Sequence, residues 1–165
     1  METVYIETTI VSYLVASPSR DLIVAAHQAV TQEWWREARE GYRCLTSDQT
    51  LTEAAQGDAT QARLRLAALA EVVSVPLTGE VEALAAELLA CGALPARARA
   101  DAIHLASATR VQADYLVTWN CRHLANAHIL RKLEREAARR GWDLPTVCTP
   151  LELRGAEQDA TQPDS

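Results

Sequence analysis

"RARADAIHLASA", residues 97–108, is the stretch whose reading decides the fold. Ala100, Ala102, Ile103, Leu105 and Ala106 surround Asp101, so the segment predicts a helix whose first turn is largely buried. A carboxylate in a first helical turn is favoured by unpaired N–H groups and by the helix dipole. That role accounts for an acid here, but its apolar setting also suits a site that uses the charge. His104 follows three residues later and shares the helix face of Asp101. A core histidine bonded to a backbone carbonyl and a partner to functional groups both fit that position.

Outward from this helix, short β-branched runs alternate with apolar-striped segments. "TVYIE" (3–7), "YRCLTS" (42–47), "VVSVP" (72–76), "DYLVTW" (114–119) and "TVCT" (146–149) predict five strands. "TTIVSYLVAS" (8–17) has room for a helical turn before Pro18. A helix is expected from Asp21 to about Glu40, on the spacing of Leu22, Ala25, Ala26, Ala29, Val30 and Trp34. Further helices are expected after caps at Ser47 or Asp48, at Asp58, and at Thr78 or Gly79, and across "HILRKLEREAARRG" (128–141). Alternation of this kind predicts an α/β fold with a mainly parallel five-stranded sheet covered on both faces. In such sheets functional groups collect beyond the carboxyl ends of the strands, near the switch in strand order.

The chain has 165 residues, 48% of them hydrophobic, enough for one domain with a real core. We expect that domain to span residues 1–155 and an acidic tail, residues 156–165, to be disordered. The formal net charge of −6 argues against broad electrostatic binding of nucleic acid and leaves room for a local basic face. Cys44, Cys91, Cys121 and Cys148 form no CxxC pair and read as reduced thiols of a cytoplasmic protein. No signal peptide and no membrane-spanning run is visible, so no membrane partner is expected. Trp34 and Trp35 are adjacent, so one of them is expected to lie exposed, under a partner, or along the helix shoulder.

Polar residues close two of the apolar strands. Glu7 ends the first and Asn120 the fourth, and burying such groups is costly unless water, metal or a partner meets them. Glu53 sits mid-helix after the second strand, beside Leu51, Ala54 and Ala55; a solvated surface charge and a site acid are both open there. His123 reads as a capping or packing residue. Gathering three carboxylates would be repulsive without a cation. Hard oxygen ligands from separate positions suit Mg²⁺ or Mn²⁺. No zinc spacing, phosphate loop or GxSxG elbow is present.

Four pieces in this order, "VYIETTIVSYL", "TLTEAAQGD", "RADAIHLASA" and "ADYLVTWNCRHLAN", resemble the PIN domain, in particular the VapC-like ribonuclease toxins of toxin–antitoxin pairs. The resemblance covers roughly residues 3–153. It implies a three-layer α/β/α sandwich and a metal-dependent endoribonuclease. Carried over, Glu7, Glu53 and Asp101 are the metal-holding acids, and Asn120 stands where many members have a fourth acid. It also implies an RNA substrate, a cognate antitoxin and a homodimer. Thr8 is then placed to bond a carboxylate, His104 to contact RNA or the ligands, and Arg97, Arg99 and Arg122 to line a basic rim. Two departures stand out: Glu7 is one methylene longer than the usual Asp, and Asn120 is neutral. The second motivates the alternative reading, a catalytically weak module that binds RNA or protein. A small-molecule enzyme is the third, and predicts a closed apolar pocket beside Asp101 and His104.

Overall fold

A first strand buried on both faces sets the architecture. The structure, a computed structural model, describes residues 1–153; the expected acidic tail lies outside the described residues. Strand β1 (Thr3–Ile6) sends Val4 and Ile6 into one core and Tyr5 into another, as the two-residue period of a strand requires. With β2 (Arg43–Ser47), β3 (Val73–Val75), β4 (Tyr115–Val117) and β5 (Thr146–Cys148) it forms a sheet of order β3-β2-β1-β4-β5. Every pairing is parallel, so the expected mainly parallel sheet is wholly so. Tyr5 lies opposite Leu45 on one side and Leu116 on the other.

Helices cover both faces. On the Val4–Ile6 face, α1 (Thr8–Val15), α2 (Leu22–Glu33) and α4 (Ala59–Leu69) supply Ile10, Val11, Val30 and Leu69 to the core. On the Tyr5–Leu116 face, α5 (Gly79–Ala90), α6 (Arg99–Arg110) and α7 (Ala127–Arg140) supply Leu84, Leu88, Ile103, Leu105 and Leu133. The short α3 (Asp48–Ala54) touches both α1 and α6. Helix α6 is buried from Ala102 to Thr109. Removing Ile103 or Leu105 from water contributes roughly 1.5–3 kcal/mol each, and small buried residues flank them at Ala102 and Ala106.

Local chemistry explains most boundaries. Ser47, Asp58, Thr78 and Asn126 accept backbone N–H bonds at the starts of α3, α4, α5 and α7. Gly141 closes α7 at φ 68°, where a Cβ would be strained. Two expectations are revised. Residues 8–15 form a full helix instead of a single turn, because Glu7 caps it and Ile10 and Val11 bury its inner face. The helix expected to reach Glu40 ends at Glu33 and passes into a π turn, Trp34–Ala38, and a 3₁₀ turn, Arg39–Gly41. That change of step puts Trp34 in the core, while Trp35 lies half-buried along the shoulder with the Arg39 guanidinium 4.6 Å from its ring centre.

Strand order reverses between β1 and β4, so their carboxyl ends flank the switch point. Glu7 follows β1 there, and Thr118, Trp119 and Asn120 follow β4. All four cysteines are free thiols. Among the described residues no helix is long and apolar enough to cross a membrane.

Candidate metal centre

Glu7 leaves β1 and becomes the N-cap of α1. It is 4% exposed, and its two oxygens have separate duties. Oε2 accepts from the Thr9 N–H at 3.1 Å, the Thr9 hydroxyl at 2.5 Å and the Thr118 hydroxyl at 2.7 Å. Oε1 faces His104 Nε2 at 3.9 Å. A cap needs only the first oxygen; the second is turned into the interior.

Glu53 arrives from α3. Its Oε2 accepts from the Thr8 hydroxyl and from His104 Nε2, the latter at 3.0 Å, and its Oε1 accepts from the Gln49 amide at 2.8 Å. Burial by itself would raise this carboxyl, but the hydrogen bond and charge of His104, with Thr8 and Gln49, outweigh it and hold the group at about 2. His104, 1% exposed, is held from its other nitrogen as well: Nδ1 lies 2.9 Å from the Tyr5 hydroxyl, itself 2.6 Å from Ser47 Oγ. Burial would lower the imidazole, yet Tyr5, Glu53 and Glu7 push it well above its ordinary value of 6.5. In the imidazolium form that this shift favours, both nitrogens donate and the positive charge lies between two carboxylates.

One ligand atom from each of Glu7, Glu53 and His104 lies within 4.8 Å of the others. Two carboxylate oxygens and an imidazole nitrogen at this spacing could hold a metal ion, once the imidazole gives up its proton. This trio differs from the expected Glu7, Glu53 and Asp101. His104 takes part directly, and Asp101 is not one of the grouped residues.

Asp101, at the start of α6, is engaged elsewhere. Its Oδ1 accepts from the Asn120 amide at 2.8 Å, and its Oδ2 lies 2.7 Å from His123 Nδ1. Asn120 is joined back to Glu7, since its N–H donates to Thr118 Oγ1 at 2.9 Å and that hydroxyl donates to Glu7. Asp101 and Asn120 thus belong to a second set beside the first. Thr8 bonds a carboxylate, as expected, and that carboxylate is Glu53. Arg97, Arg99 and Arg122 are exposed.

Sequence reasoning undervalued His104, Thr118 and His123. For His104 the signal was its shared face with Asp101; for His123 it was the Asn120-x-x-His123 spacing of an Asn-led turn, in which the His123 N–H bonds Asn120 Oδ1 at 3.1 Å. A cavity of about 540 Å³ lies at the opposite end of α6, lined in part by Glu80, Glu87, Thr109, Arg110 and Asp143, and shares no residue with either set. No protein-family model matches the chain, and a search of characterised proteins returns no relative.

Proposed function

We propose that the protein is a metal-dependent nuclease of PIN-like architecture. More particularly, we read it as an endoribonuclease that serves as the toxin of a toxin–antitoxin pair in the cytoplasm, with a cognate antitoxin and a second copy of itself as partners. The observation that carries the reading is the Glu7–Glu53–His104 group at the switch point, joined through Thr118 to Asn120 and Asp101.

Glu7 Oε1, Glu53 and His104 would hold Mn²⁺, or the two carboxylates would hold Mg²⁺ with its waters. A divalent ion there supplies charge for a phosphate and acidity for water. Thr8, Thr9, Thr118 and Gln49 fix the two carboxylates from outside, so little reorganisation accompanies binding. His104 balances part of their charge until an ion arrives. Asn120 holds Asp101 without adding a charge, which favours one ion over two. Arg97, Arg99 and Arg122 are open to a phosphate backbone.

The test is cleavage of RNA by the purified protein in Mn²⁺, Mg²⁺ or EDTA, beside Glu53→Gln and Asp101→Ala. The reading expects cleavage with an ion, none in EDTA, and a large loss in both variants. Intact RNA binding with no cleavage in either ion sinks it and favours the weak binding module, which the neutral Asn120 supports.

A further inference from the structure

We propose that the outer face of α7 is a track for the RNA backbone, on which Arg131, Lys132 and Arg135 hold phosphates of the strand being cut. The proposal rests on the nuclease reading above and adds a binding surface which that reading does not contain.

Charge on α7 is sorted by side. The chain has 22 acidic and 16 basic residues, yet five of the basic ones, Arg131, Lys132, Arg135, Arg139 and Arg140, fall within this 14-residue helix. At about 3.6 residues per turn, Arg131, Lys132, Arg135 and Arg139 lie within roughly 100° of arc. No acid stands in that arc; Glu134 and Glu136 fall on either side of it. The opposite side carries the buried Leu133 and Ala137. Arg139 and Arg140 have ordinary reasons to be where they are. They occupy the last turn, which the helix dipole favours, and meet Glu136 at 3.0 and 3.4 Å. Arg131, Lys132 and Arg135 have neither reason. They are exposed, and they form no ion pair among the described residues. Arg131, Arg135 and Arg139 also recur at four-residue steps, and like charges at that spacing weaken a helix. A polyanion laid along the face relieves the repulsion, and the guanidinium fork matches its phosphates.

The start of α7 is tied to the metal centre by a chain of hydrogen bonds. Asn126 caps the helix through the N–H groups of His128 and Ile129, and its amide donates to the carbonyls of Cys121 and Arg122. That loop begins at Asn120, which holds Asp101 and, through Thr118, Glu7. Arg122 is exposed within the loop and continues the basic line toward the site. From Arg131 to Arg139 the helix rises about 12 Å, the length of a short stretch of nucleic-acid backbone. The face does not suit a membrane surface. A helix lying on a bilayer buries an apolar side beneath its basic one, whereas the apolar side of α7, with Leu130 and Leu133, is packed into the protein core.

The test compares the wild type with the triple variant Arg131→Gln, Lys132→Gln, Arg135→Gln. A control, Arg20→Gln, Arg43→Gln, Arg63→Gln, removes the same charge from exposed positions outside α7. Binding of a short fluorescein-labelled RNA in EDTA is read by anisotropy across a range of salt. Each phosphate contact on a single strand contributes about 0.7 to the slope of log affinity against log salt, so the α7 variant should bind more weakly and lose about 2 from that slope, while the control keeps it. Lys132 is the single lysine of the chain, and its acetylation, followed by mass spectrometry, should be slowed by RNA and not by phosphatidylglycerol vesicles. An unchanged slope in the α7 variant, equal losses in both triple variants, or protection of Lys132 by vesicles alone each overturn the track; cleavage of RNA by the wild type then leaves the nuclease reading standing. RNA binding that depends on α7 with no cleavage in any ion keeps the track and overturns the nuclease. No binding of RNA by the wild type overturns both. Should the triple variant fail to fold, the protection of Lys132 in the wild type decides the question.

Discussion

His104→Leu, studied in EDTA, tests the charge balance on which the metal centre depends. The substitution keeps an apolar body of similar size and removes two donors and one positive charge. Tyr5 is little affected, because its hydroxyl still has Ser47 at 2.6 Å. Glu53 keeps Thr8 and Gln49 and is partly open to water. The loss therefore falls mainly on Glu7, which is 4% exposed and would have only Thr9 and Thr118 on its Oε2. Breaking a buried pair from one side costs about 3–5 kcal/mol, and the partial exposure of Glu53 places this case near 3 kcal/mol. For a chain of this size that is a fall in Tm of about 6–12 °C. Urea and thermal unfolding at neutral pH measure it. Glu7→Gln added to His104→Leu should recover part of the loss, since the uncompensated charge is gone. If His104→Leu is as stable as wild type, or if the two substitutions simply add, the imidazolium is not what stabilises the carboxylates.

Four further outcomes can be measured. Glu53 titrates at about 2 instead of its ordinary 4.5, so its contribution to metal-free stability is present above about pH 4.5 and is lost as pH falls toward 2; Glu53→Gln should flatten that acid limb in pH-dependent unfolding. His104 is raised above 6.5, so its contribution is complete below that pH and disappears as pH rises through the folded value; His104→Leu should remove that alkaline decline. Thr118→Val deletes the hydroxyl that links Glu7 to Asn120 and should weaken Mn²⁺ binding by about 10- to 100-fold in calorimetry. Asn126→Ala removes the cap of α7 and the ties to Cys121 and Arg122, and should cost about 1–2 kcal/mol in chemical denaturation.

Local patterns in the chain were enough to specify the α/β alternation, the five strands, the capped helix starts and the polar residues at strand ends, because period, cap and turn chemistry act over a few neighbours. They were also enough to mark Glu7, Glu53, Asp101 and Asn120 as worth following. They did not determine how those residues pair. Glu7, Glu53 and His104 come from three elements, and only the packing of α3 and α6 around the end of β1 brings their ligand atoms within 4.8 Å. Asp101 and His104 are three residues apart on one helix, yet one turns to Asn120 and His123 and the other to Glu7 and Glu53. The order β2-β1-β4 places a different strand end on each side of Glu7. Which carboxylate meets which histidine is set by that long-range register. No period in the sequence carries this information.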